Sequence, residues 1–198
     1  MVYNMNIHIP YEKNVGCVQP LRGFPNIVHF GNTVKIVYTD ASIRQKKGGI
    51  GICSRSSVTG FEQWDTFRAS VNETKDINRN ELGAIFASIS MTDIYSDIVI
   101  YSDSLTSINN IVHRTKRNKY DKLSSFTLQL VKERKGNVYI SKVKAHSGNI
   151  GNTFADKLAK DGSESIYEFV MPDEFSSIDE WVKYNNSSCS SSVMCMLR

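Results

Sequence analysis

From Val34 onward the apolar residues of this chain recur first with a period of two and then with a period of 3.6, and that switch leaves few folds open. Val34–Asp40 (VKIVYTD), Gly48–Ser54 (GGIGICS) and Phe61–Phe67 (FEQWDTF) alternate and are rich in β-branched or aromatic residues, which predicts three antiparallel strands joined by short turns. Leu82, Ile85, Phe86 and Ile89 then fall at i, i+3, i+4 and i+7, one face of a helix. Asn78 is a good N-cap residue for it, with Glu81 three positions later as in a capping box. Asp97–Tyr101 (DIVIY) is almost continuously apolar, as expected of a strand covered on both faces. Ile108, Ile111 and Val112 predict a second helix, and Leu123, Phe126, Leu130 and Val131 a third. Val138–Lys144 (VYISKVK) predicts a fifth strand, and Asn152–Lys160, with Phe154 and Leu158 on one side, a last helix. This order predicts an α/β fold: a mixed five-stranded sheet, three antiparallel strands followed by two parallel ones, flanked by helices.

The rest of the chain frames that core. Residues 1–33, with Pro10, Pro20 and Pro25, read as a leader that is irregular or drapes over the core; residues 34–162 read as the folded domain. Residues 163–198 read as an extension in which Ser176–Tyr184 (SSIDEWVKY) makes a short capped helix before a polar, serine-rich tail. With 40% hydrophobic and 22% charged residues among 198, the chain has enough apolar material for a real core. The net charge of +4 is compatible with a polyanionic partner without requiring one. No apolar run is long enough to cross a bilayer and no secretory leader is visible, so the expectation is a soluble intracellular protein of cytoplasm or nucleus. Cys17, Cys53, Cys189 and Cys195 include no C-x-x-C pair and read as reduced, unpaired thiols, although Cys189 and Cys195 could pair in an oxidising setting.

Four carboxylates fall where such a sheet concentrates chemistry. Asp40 ends the apolar run of the first strand, Glu81 lies in the first turn of the first long helix, Asp103 follows the buried fourth strand, and Asp156 is on the final helix. Each has an innocent explanation as a cap, a turn residue or a solvated helix residue. Four converging from separate elements would repel one another and require protonation or cations, and hard oxygen donors suit magnesium or manganese rather than zinc.

The motifs around these residues resemble those of type 1 ribonuclease H. They are Thr-Asp-Ala-Ser at 39–42, Asn-Arg-Asn-Glu-Leu at 78–82, Tyr-Ser-Asp-Ser at 101–104, Val-Lys-Ala-His-Ser-Gly at 143–148, and Gly-Asn-Thr-Phe-Ala-Asp-Lys-Leu-Ala-Lys at 151–160. The set is ordered, covers about two-thirds of the chain, and is closest in flavour to the domains attached to retroelement polymerases. The resemblance implies a ribonuclease H-like fold and an endoribonuclease that cuts the RNA strand of RNA–DNA hybrids by two-metal catalysis, leaving 5′-phosphate and 3′-hydroxyl ends. It implies that Asp40, Glu81, Asp103 and Asp156 hold two Mg2+ ions, with Mn2+ able to substitute, and that His146 shuttles protons. Asn78, Ser42 and Ser104 would touch the hybrid near the cut, where its 2′-hydroxyls are read. Arg114, Lys116, Arg117 and Lys119 would grip phosphates of the DNA strand, and Arg44, Lys46 and Lys47 form a second small basic group.

Some positions depart from the family. The turn after Asp40 lacks an Asn-Pro-Gly element, Ile77 and Leu105 stand where polar residues are usual, and the segment between Ser104 and Phe126 lacks the tryptophans of a larger basic protrusion. These differences leave the metal site alone and bear on substrate affinity. Two other readings compete: a non-catalytic nucleic-acid-binding module of the same fold, and another nuclease of the superfamily such as a junction resolvase. Against them stand all four acids and the histidine in the chain, and neither a helix-turn-helix nor a zinc-finger pattern outside the core. The hybrid is the one partner implied; the expectation is a monomer without an obligate protein partner.

Overall fold

The computed structural model describes residues 19–20, 33–56, 60–72, 76–113, 119–145 and 148–188. In chain order the strands are β1 (Gln19–Pro20), β2 (Val34–Arg44), β3 (Lys47–Ser56), β4 (Gly60–Val71), β5 (Asp97–Ser102), β6 (Val138–Lys142) and β7 (Glu168–Phe169). The α-helices are α1 (Ile77–Ser90), α2 (Leu105–Val112), α3 (Asp121–Glu133), α4 (Ile150–Gly162) and α5 (Ile178–Ser188). All strands lie in one sheet of order β1-β6-β5-β2-β3-β4-β7.

The meander β2–β3–β4 is antiparallel, and β5 and β6 run parallel to β2, as the apolar patterns predict. The five expected strands are extended by two short edge pairs: β1 is antiparallel to β6, and β7 is parallel to β4. Asp40 is not at the end of its strand. β2 continues to Arg44 because its antiparallel partner β3 follows it that far, whereas its parallel partner β5 stops opposite Thr39. Asp40 therefore sits at the carboxyl edge of the parallel half of the sheet, where open α/β sheets place their chemistry. Arg44 pairs with Lys47 across a two-residue turn whose residues, Gln45 and Lys46, have φ of 48° and 67°.

The two faces of the sheet carry separate cores. Val37, Ile50, Ile52, Ile98, Ile100, Val138 and Ile140 pack with α1, α2 and α3. Ile36, Tyr38, Cys53, Val99, Tyr101 and Val143 pack with Ala155 and Leu158 of α4. That second contact is a backbone-to-backbone approach. A Cβ on Gly49 would lie 2.3 Å from the Ala159 carbonyl oxygen, and one on Gly51 2.2 Å from the Ala159 nitrogen. Glycine at both positions lets α4 lie directly on β3 and fixes its height.

Helix α1 is buried on every side: all residues from Asn80 to Ser90 are inaccessible. The sheet covers one face, and residues beyond 164 cover another. Trp181 of α5 packs edge-on against Phe86 at 5.0 Å between ring centroids and donates its indole N–H to the Val170 carbonyl at 2.9 Å. Met171 lies across Gly83, where a Cβ would collide with its sulfur and methyl group. Arg79 forms a fork to both carboxylate oxygens of Asp173, at 3.0 and 2.8 Å, and also reaches Glu174. The far end of α1 is held by Arg134, whose buried guanidinium donates to the carbonyls of Ile89, Thr92, Asp93 and Ser96. Its low-dielectric setting brings the Arg134 pKa down to about 10.

The expected short helix is α5, entered through a capping arrangement in which Ser177 Oγ accepts from the Glu180 amide and Glu180 accepts from Ser176. Cys53 is buried and its thiol donates to the Gly151 carbonyl at 3.3 Å; Cys17, Cys189 and Cys195, most of the leader and the last ten residues lie outside the described residues. Among the described residues, no helix is long and apolar enough to cross a membrane.

Candidate active site

The start of α1 is where sequence reasoning and structure first part. Asp76, not Asn78, is the N-cap: its side chain accepts from the Arg79 amide at 3.3 Å, and Asn78 is the second residue inside the helix. Asp76 wins the position because its carboxylate is also held by Lys119 Nζ and by the Tyr120 hydroxyl, which lies 2.9 Å from both oxygens. These partners hold the Asp76 carboxyl below its usual range; burial opposes them. Glu81 consequently makes no capping box. It turns toward β2, where Glu81 Oε1 accepts from the Ala41 amide at 3.2 Å.

The same amide donates to Asp40 Oδ1 at 2.7 Å, so one N–H serves two carboxylates. Asp40 is 7% exposed and Glu81 6%. Asp103, half-buried just past β5, completes the group: one oxygen from each of Asp40, Glu81 and Asp103 lies within 4.8 Å of the other two. Burial is the main cause that pushes the Asp40 carboxyl up to about 7, and the charges of Asp103 and then Asp156 add to it. Glu81 is pushed well above the usual carboxylate range by burial and then by Asp40. Burial and their mutual repulsion therefore oppose ionising both at once.

Asp156, on α4, is felt by Asp40 but stands apart from the close trio; its Oδ2 is held by Lys160 one turn later, at 2.5 Å. A residue that sequence reasoning left without a role, Asn152, lies one turn before Asp156. Its amide donates to Asp103 Oδ2 at 3.3 Å. The signal was available: positions 152, 156 and 160 fall on one stripe of a helix and lie within the quoted motif.

The other expected site residues divide. Ser42 lies two residues beyond Asp40, opposite Gly49. Ser104 is the N-cap of α2 and accepts from the Ser107 amide. Asn78 and Ser107 tie the starts of α1 and α2 together, Ser107 Oγ donating to the Asn78 carbonyl at 3.3 Å. Lys119 is exposed but paired with Asp76. His146, Arg114, Lys116 and Arg117 lie outside the described residues, while Arg44, Lys46 and Lys47 are exposed around the β2–β3 turn.

The donor set fits a divalent cation. Three carboxylates converge with like charge, their oxygens are hard ligands, and the buried Glu81 Oε2 has no hydrogen-bond partner to satisfy it.

Comparison with known proteins agrees with this geometry. No curated protein matches the sequence. Solved structures do match in fold. One is LC9-RNase H1, a type 1 RNase H with the type 2 active-site motif, at 17% identity and TM-score 0.55, covering 69% of this chain and 75% of that one. Another is the N-terminal RNase H domain of Rv2228c from Mycobacterium tuberculosis, solved as a fusion with maltose-binding protein, at 16% and 0.53, covering 67% and 95%. A third is LC11-RNase H1 in complex with an RNA/DNA hybrid, at 18% and 0.52, covering 66% and 96%. The model of the RNase H family matches residues 32–164, a span that contains every strand from β2 to β6 and all four acids. A converging carboxylate trio at the edge of a mixed sheet, on a chain matched over that whole span, has one reading: this chain belongs to the ribonuclease H family.

Proposed function

We propose that this ribonuclease H cuts the RNA strand of RNA–DNA hybrids at a centre formed by Asp40, Glu81, Asp103 and Asp156, with Mg2+ as the working ion and Mn2+ able to replace it. The observation that carries the site assignment is the convergence of Asp40, Glu81 and Asp103, with the buried Glu81 Oε2 lacking a hydrogen-bond partner. A divalent ion held there supplies a Lewis acid for the phosphate and a water acidic enough to attack at neutral pH.

The chain's own residues do the rest. A bound cation would favour the ionised carboxylates of Asp40 and Glu81, to both of which the Ala41 amide donates. Asn152 holds Asp103 in orientation. His146 accepts and returns protons near neutrality. Ser42, Asn78 and Ser104 lie along the edge that meets the hybrid, and Arg114, Lys116, Arg117 and Lys119 follow its DNA phosphates. Residues 34–162 carry the catalytic groups, and the chain acts as a monomer.

The test is incubation of the purified chain with end-labelled hybrid, duplex RNA and duplex DNA in Mg2+, Mn2+ or chelator, beside Asp103→Asn. Metal-dependent cleavage of the hybrid's RNA strand alone, abolished in the variant, is expected. Binding of hybrid without cleavage in either metal would refute the assignment, and cleavage of duplex DNA would replace its substrate.

A further inference from the structure

The four proposed ligands are not equivalent. Asp40, Glu81 and Asp103 each direct an oxygen into one small volume, whereas Asp156 is absent from that group. Asp156 is instead paired with Lys160, an i,i+4 partner on α4 whose ammonium is against Asp156 Oδ2. The α4 segment carrying them lies directly on Gly49 and Gly51 with no spare space, and the Lys160 carbonyl is engaged by Ser163 Oγ at 2.7 Å. The pair itself is partly open to solvent, with 39% of Lys160 and 26% of Asp156 exposed.

We infer that Lys160 is a resident counter-ion for Asp156 that an incoming second cation has to displace. The close trio then loads first and the Asp156 side loads second and more weakly. Lys160 is thus a positioning residue that separates the two loading steps. The inference rests on the metal-dependent reading above and concerns a residue that touches none of the trio.

The experiment titrates Mn2+ alone into the full chain without nucleic acid, following free Mn2+ by electron paramagnetic resonance. The wild type should bind one ion and then a second at least about tenfold more weakly. Lys160→Met, which keeps the aliphatic stem, should tighten the second step by about fivefold, on the scale of a half-exposed ion pair, and leave the first within about twofold. Lys160→Arg should behave as wild type, and Asp156→Asn should remove the second step in either background. An unchanged second step in Lys160→Met, or equal tightening of both steps, overturns the inference. If the wild type cuts hybrid but Lys160→Met binds Mn2+ as wild type does, this inference alone fails. If no Mn2+ binds at all, the metal-dependent reading fails with it.

Discussion

Neutralising Asp40 should make the metal-free protein more stable while destroying its response to metal. The Asp40 carboxyl titrates near 7 in the fold against an ordinary value of 3.8, chiefly because it is buried and then because Asp103 is close. Three pH units at about 1.4 kcal/mol each put the penalty for ionising it in the fold at about 4 kcal/mol. A carboxyl whose folded pKa is raised binds its proton more tightly in the fold than in the unfolded chain. Stability is therefore lost as pH rises from about 4 and levels off above about 7. Asp40→Asn removes the charge yet keeps an oxygen for the Ala41 amide and offers Glu81 a donor. Solvent reaching the half-buried Asp103 screens part of the repulsion in the wild type, so the net gain should be about 1–3 kcal/mol at pH 8. For a chain of this length that raises Tm by roughly 3–10 °C. Thermal unfolding in chelator and in Mg2+, from pH 5 to 8, reads both effects. Wild type should lose stability with pH in chelator and regain it with metal; Asp40→Asn should show a flatter pH profile and no metal response. A variant less stable than wild type at pH 8 in chelator, or one that metal still stabilises, would refute the reasoning.

Other expectations are simpler. Asn152→Ala should weaken the orientation of Asp103 and raise the Mg2+ concentration for half-maximal cleavage by about tenfold, the usual cost of losing a residue that orients a metal ligand. Gly51→Ala drives a methyl into the α4 backbone and should cost about 3 kcal/mol in chemical denaturation. Replacing Gln45-Lys46 by Asn-Gly puts residues suited to positive φ into the β2–β3 turn; a stability gain of about 1–2 kcal/mol is expected, with cleavage of hybrid retained. Trp181→Ala empties the contact against Phe86 and should cost about 3–5 kcal/mol, read by the denaturation midpoint.

The strands and helices of the core were legible because each carries its own periodicity, and the sheet order follows from their sequence. The acids were legible through their motifs. Capping was not. Asn78 and Asp76 are both good caps, and the choice between them is made by Lys119 and Tyr120, which lie more than 40 positions away. The pairing of Lys119 escaped for the same reason, since only tertiary structure brings it against Asp76. The edge strand β7 is two residues long and has no periodicity to read; it forms because Tyr167 can accept from the Ser70 amide at 2.8 Å. Asn152 was visible in the sequence but looked like helix-start chemistry. Only the approach of α4 to β5 gives it Asp103 as a partner.

The cover that Met171, Phe169 and Trp181 place over α1 has a consequence for how the protein is made. The helix bearing Glu81 is synthesised before the midpoint of the chain, yet Phe86 stays uncovered until residue 181 has been added. The nascent domain therefore carries an exposed apolar helix face until that residue has been added. A product cut short after residue 164 would carry all four acids and leave that face bare, marking it for chaperones or aggregation rather than for catalysis.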